Sequence, residues 1–210
     1  MSTLLLTGAT GLVGHAVLRQ ALADERVSRV VAPTRRALPP HPKLENPVID
    51  FDQLPKDAPW WQVDAVICTL GTTLRVAGSR EAFRKVDLEY PLRIALLARR
   101  HGARMYALNS AMGAKLGSRV FYLKVKGELE QSLMECDYPS VLIVRPGLLG
   151  GDRTEIRPGE RFGQVVLGAL NGIMPRRFRI VPAEKVARAL LEGALAATPG
   201  LEILESEDLL

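Results

Sequence analysis

The segment Thr7-Gly8-Ala9-Thr10-Gly11-Leu12-Val13-Gly14 constrains the fold of this chain more than any other. Its three glycines are evenly spaced, directly after the apolar run Leu4-Leu5-Leu6 and directly before a segment of helical periodicity. Glycine is needed where a backbone turns sharply out of a strand, where it approaches a phosphate closely, and where a helix packs hard on a strand. The start of a helix offers N–H groups without partners and about half a positive charge, both favourable to phosphate. A strand–turn–helix of this kind predicts a Rossmann-type domain that binds a dinucleotide. Gly8, Ala9, Thr10, Gly11, Leu12 and Val13 are then the phosphate contacts.

The rest of the chain agrees in pattern. Further short apolar runs lie at Val30–Ala32, Val48–Ile49, Ala65–Cys68, Met105–Leu108, Val141–Val144 and Leu201–Leu204. Runs of this length bounded by turns read as strands buried on both faces. Helical periodicity covers about 12–22, 80–100, 118–134 and 183–197. Alternating strands and helices predict a doubly wound parallel α/β sheet. The stretch 147–182 is irregular and rich in Gly, Arg and Pro, which suits a small substrate-covering region within one domain spanning 1–210.

Composition closes off other classes. No apolar run approaches the roughly 20 residues of a membrane helix. The N-terminus leads straight into an apolar strand without a basic leader, so the expected location is the cytoplasm. Cys68 and Cys136 form no CxxC pair, and His15, His41 and His101 are isolated; neither a disulfide nor a metal site is expected. The net charge is +5, and the densest basic cluster is Arg176-Arg177-Phe178-Arg179. No nucleic-acid motif accompanies that cluster, which reads as a solvated loop rather than a nucleic-acid patch.

A site for NAD commonly ends its second strand in a carboxylate that binds the ribose 2′-hydroxyl. Here that strand exits through Thr34-Arg35-Arg36. A guanidinium fork suits a 2′-phosphate, so the expected cofactor is NADP(H), with Arg35 as the contact.

Tyr122 and Lys126 stand one helical turn apart, and both side chains then share a face. An ammonium near a phenol favours the phenolate, so Tyr122 is the candidate proton-transfer residue and Lys126 its electrostatic support. Moving a phenol from about 10 to about 7 takes roughly 4 kcal/mol, which Lys126 and an oxidised nicotinamide ring would supply together. Ser110, at the end of the strand Met105–Leu108, is the candidate donor to a substrate oxygen.

With the turn at 7–14, Ser110, Tyr122 and Lys126 in this order, the chain resembles the short-chain dehydrogenase/reductase superfamily. The finer likeness is to its small atypical members, the Tat-interacting-protein-like and NAD(P)-binding-domain group. It rests on Leu70-Gly71-Thr72-Thr73, Phe83-Arg84-Lys85-Val86-Asp87, Phe121 through Glu128, and Val144-Arg145-Pro146-Gly147. The resemblance covers about residues 3–150. It implies that Asp50 and Phe51 flank the adenine, that Leu70, Gly71 and Thr72 run along the cofactor, and that Pro146 approaches the nicotinamide. Where many relatives carry a proton-relay asparagine, this chain has Val86-Asp87.

The resemblance also implies a homodimer through the helices at about 80–100 and 118–134. The resulting expectation is an NADPH-dependent oxidoreductase acting on a small carbonyl or alcohol substrate. The alternative is an NADPH-binding redox sensor or interaction module without turnover, suggested by the short C-terminal part and the altered relay position.

Overall fold

In the computed structural model, which describes residues 1–150 and 175–210, the apolar runs become strands of one parallel sheet. They are β1 (Ser2–Thr7), β2 (Val27–Val31), β3 (Leu44–Glu45), β4 (Ala65–Cys68), β5 (Met105–Asn109), β6 (Ser140–Arg145) and β9 (Gly200–Glu205). The sheet order is β3-β2-β1-β4-β5-β6-β9, and every pairing is parallel. Two further short strands, β7 (Leu149–Gly150) and β8 (Val181–Pro182), pair only with each other among the described residues.

Alternate residues of the central strands serve two cores. Leu4 and Leu6 of β1, Ile67 of β4, and Met105 and Ala107 of β5 face α1 (Leu12–Ala23) and α6 (Ala183–Ala196). Leu5, Val66, Cys68, Tyr106 and Leu108 face the opposite layer. That layer contains α4 (Tyr90–Arg100), α5 (Phe121–Met134) and the buried pair Trp60 and Trp61. A sheet sealed on both faces excludes alternating polar residues, which is why its strands read as continuous apolar runs. Two small helices, α2 (Leu74–Ala77) and α3 (Arg80–Arg84), precede α4.

After β3 the chain recrosses the sheet to lay β4 beside β1. The reversal leaves a crevice beyond the C-terminal ends of β1 and β4, the usual ligand position in an open α/β sheet.

Three details differ from the sequence expectation. The third strand is Leu44–Glu45 rather than Val48–Ile49, and Val48 makes only an isolated bridge to Thr34. Pro47 has no N–H to continue the ladder. The Asn46 amide fills the gap by donating to Ala32 O at 2.5 Å. The helix expected over 80–100 widens into a π-turn at Lys85–Glu89, and the helix expected from 118 begins at Phe121. Of the expected substrate-covering region 147–182, residues 151–174 lie outside the described residues.

Candidate functional site

The glycine turn joins β1 to α1. Gly8 has φ +84°, and a Cβ there would stand 2.6 Å from the Thr69 carbonyl carbon of the neighbouring strand end. A Cβ on Gly14 would stand 2.0 Å from Gly8 O. Both positions exclude any side chain. Around Gly11 the only near atom among the described residues is Gly8 O at 3.3 Å, so a Cβ would otherwise meet none of them. No side chain caps the start of α1, and its first turn holds no carboxylate. Leu12 and Val13 therefore contribute N–H groups with no intrahelical acceptor.

The exit of β2 carries exposed Arg35 and Arg36. This loop is tied down by Asn46, which donates to Thr34 Oγ1 at 2.8 Å and accepts from Leu38 N at 2.7 Å. Thr34 in turn donates to Arg36 O at 2.6 Å. Asp50 is exposed and caps the short turn Phe51–Gln53, while Phe51 is buried with its ring 5.6 Å from that of Tyr90.

Beyond β4, β5 and β6 a cleft of about 320 Å³ opens at the crevice. Leu70, Gly71, Thr72, Asn109, Ser110, Tyr122, Lys126 and Pro146 all line it. The structure thus brings together residues that the sequence holds far apart. Tyr122 and Lys126 come from α5, as their spacing requires.

Lys126 is buried, with Nζ 2.9 Å from Asp87 Oδ1. Asp87 stands in the π-turn and is fully buried; its Oδ2 accepts the Thr72 N–H at 2.7 Å. Burial works against the Lys126 ammonium, but Asp87 and Tyr122 outweigh it and hold its pKa above the ordinary lysine value. Tyr122 differs from the sequence expectation. Burial pushes its phenol above the usual tyrosine value, Lys126 pulls it down, and Asp87 pushes it back up. Within the chain alone, Tyr122 is a phenol at neutral pH.

Ser110 lies on the strand end as expected, but its hydroxyl donates to Glu130 Oε1 on α5. Glu130 also accepts from Arg145 at 2.7 and 3.1 Å, and Arg145 reaches Glu205 at 2.8 Å. Asn109 Oδ1 and Thr7 Oγ1 are buried and have no hydrogen-bond partner among the described residues.

These features fit a dinucleotide. Gly11 leaves a cradle that a Cβ would fill, the start of α1 is uncapped, and unpartnered polar atoms sit at the strand ends. Sequence reasoning missed Glu130, Asn46 and the Asp87–Lys126 pair. Only the carboxylate at a relay position hinted at the last. Among the described residues no cluster of His, Cys, Asp or Glu could hold a metal, and no helix is long and apolar enough to cross a membrane.

Comparison with known proteins agrees with this geometry. Residues 4–119 match the model of the NAD dependent epimerase/dehydratase family. Protein HTATIP2 of Rattus norvegicus is 35% identical over 98% of this chain and 86% of its own length. The protein FMP52, mitochondrial, of Eremothecium gossypii is 33% identical over 82% of this chain and 76% of its own length. Among solved structures, MoeE5 in complex with UDP-glucose and NAD superposes with a TM-score of 0.73 at 16% identity, covering 97% of this chain and 75% of that one. The Bordetella bronchiseptica enzyme WbmH in complex with NAD+ gives a TM-score of 0.71 at 16% identity, over 98% and 76%. The glycine turn, the strand order and these relatives together establish that the chain belongs to the NAD dependent epimerase/dehydratase family.

Proposed function

We propose that this protein is an NADPH-dependent oxidoreductase acting on a small carbonyl or alcohol substrate. The observation that carries the reading is the convergence of Tyr122 and Lys126 on one cleft at the strand reversal, beside the glycine turn. When bound, the dinucleotide supplies or accepts a hydride. Gly8 through Val13 hold its phosphates on backbone N–H groups, and Leu70, Gly71 and Thr72 border its nicotinamide half. Arg35 pairs with the 2′-phosphate, and Asp50 and Phe51 flank the adenine. Tyr122 transfers the proton, and Lys126 fixes the local charge. Pro146 closes the far wall of the cleft. Ser110 polarises the substrate oxygen once its hydroxyl turns from Glu130 toward the cleft. The described lining beyond the reacting groups is largely Ala111, Met112, Leu148 and Leu149, which favours a small apolar substrate.

Our reading puts the protein in the cytoplasm, with the mitochondrion as the alternative raised by the FMP52 relatives. Exposed Leu96 on α4 and Met134 on α5 favour a homodimer through these helices.

The test is a fluorescence titration with NADPH and NADH, followed by a carbonyl screen of wild type and Tyr122→Phe. We expect NADPH to bind at least tenfold more tightly. Tyr122→Phe should cost about 10²–10⁴-fold in turnover and leave cofactor affinity unchanged. A fully active Tyr122→Phe removes the assignment of Tyr122.

One observation favours a second reading, an NADPH-binding module without turnover: the Ser110 hydroxyl is already engaged by Glu130. Tight NADPH binding with no turnover across the carbonyl screen selects this reading.

A further inference from the structure

The Lys126 and Asp87 side chains are only 4% and 1% exposed, so water does little to screen either charge. Asp87 does two things at once. One carboxylate oxygen meets the Lys126 ammonium, and the other holds the Thr72 N–H of the loop bordering the cleft. Gly71 makes the close approach feasible, because a Cβ there would stand 3.3 Å from Asp87 Oδ1 and 3.7 Å from Lys126 Nζ. The π-turn at Lys85–Glu89 is itself a local departure of the kind that gathers at functional sites.

A lone buried ammonium one turn from a phenol would draw it toward phenolate. An ammonium matched by a carboxylate at 2.9 Å forms a pair of almost no net charge, which draws the phenol less strongly. Among the described residues, the neighbouring elements do not restore the imbalance: beside Asp87, the groups facing Lys126 are Tyr122 on its own helix and the Cys68 thiol at the end of β4. From α3, Tyr122 meets the ring of Phe83, and Arg84 is already paired with Glu128 at 2.6 Å.

We propose that Asp87 is a positioning residue that, by claiming Lys126 and the Thr72 N–H, restrains the pull of the ammonium on the buried Tyr122 phenol and so biases the site toward reducing carbonyls. The inference rests on the reading of Tyr122 as the proton-transfer residue. In the step, the carbonyl carbon accepts the hydride of the reduced dinucleotide, which becomes oxidised. The C=O π pair takes the Tyr122 proton, giving the alcohol. The phenolate left behind regains its proton from water. Alcohol oxidation would need that phenolate before the reaction begins, and Asp87 opposes it.

The test is an ultraviolet titration of tyrosinate in the cofactor-free protein. Tyr122 is isolated by subtracting the same titration of Tyr122→Phe. We expect the wild-type midpoint to lie above that of free tyrosine, and Asp87→Asn to lower it by about one unit or more. An unmoved midpoint in folded Asp87→Asn overturns the proposal. If Asp87→Asn does not fold, the wild-type titration decides: a Tyr122 midpoint at or below that of free tyrosine overturns the proposal.

The second readout is direction. Asp87→Asn should move the pH profile of alcohol oxidation down by the same amount as the titration. A profile that stays put while the phenol midpoint moves also overturns it. A moved midpoint with no turnover in any variant would instead reject the oxidoreductase reading, because the titration does not depend on activity.

Discussion

Gly11 differs from Gly8 and Gly14 in what surrounds it. A methyl group at Gly14 would collide with Gly8 O at 2.0 Å, a backbone atom that cannot move without unseating α1 from β1. A methyl group at Gly11 meets one oxygen at 3.3 Å and otherwise enters the space where a pyrophosphate would approach. Gly14→Ala should therefore fail at the level of folding, with loss of soluble protein or a large fall in melting temperature. Gly11→Ala should melt within a few degrees of wild type yet bind NADPH at least tenfold more weakly. Circular dichroism melts and a fluorescence titration separate the two. A Gly11→Ala protein with unchanged affinity would mean that the phosphates do not pass this position.

At the scale of elements, the loop after β2 shows how an irregularity can position a charge. Pro47 breaks the β2–β3 ladder, and Asn46 repairs it with bonds to Ala32, Thr34 and Leu38. The repair fixes the backbone on which Arg35 and Arg36 stand. Asn46→Ala should then weaken NADPH binding several-fold and leave NADH nearly unaffected, following Arg35→Ala in direction but not in size. Equal losses for both cofactors would reduce Asn46 to a general support of the fold. The same loop marks the limit of what the sequence tells. The glycine turn, the buried strands and the Tyr122–Lys126 spacing are local patterns whose period dictates their geometry, and they are legible. The exchange of Val48–Ile49 for Leu44–Glu45 depends on a side chain standing in for a missing backbone donor, which no periodicity encodes. The ion pair of Asp87 with Lys126, and the bonds joining Ser110, Glu130 and Arg145, cross between elements. Nothing in their local sequence distinguishes them from solvated charges. Ser110 shows the cost: its place at the strand end is readable, but the direction of its hydroxyl is set by α5.

Over the whole molecule, the buried phenols give stability a particular pH dependence. Burial raises the pKa of Tyr106 and Tyr138, whose hydroxyls donate to Pro91 O and Ala95 O. Burial, followed by the bond to Asp52, pushes Tyr90 up to about 12. In the unfolded chain such phenols ionise near 10, so above that pH the fold retains protons that the unfolded chain has released. Their contribution is complete below about pH 10 and is lost as pH rises toward the folded values, by about 1.4 kcal/mol per unit for each fully buried phenol. The melting temperature should stay level from about pH 7 to 9 and fall steeply above about 10. Tyr138→Phe should flatten that fall, and an unchanged slope would show that Tyr138 ionises alike in both states. The short ladder of β7 and β8 bears on the molecule in another way. It sets Leu149 beside Val181 and Gly150 beside Pro182, so two points distant in the chain are held side by side outside the main sheet. Because Leu149 also lines the cleft, that part of its rim is held in place by backbone far along the chain. The ladder is in effect a clasp: it fixes the rim of the cleft through main-chain bonds, whichever side chains stand there.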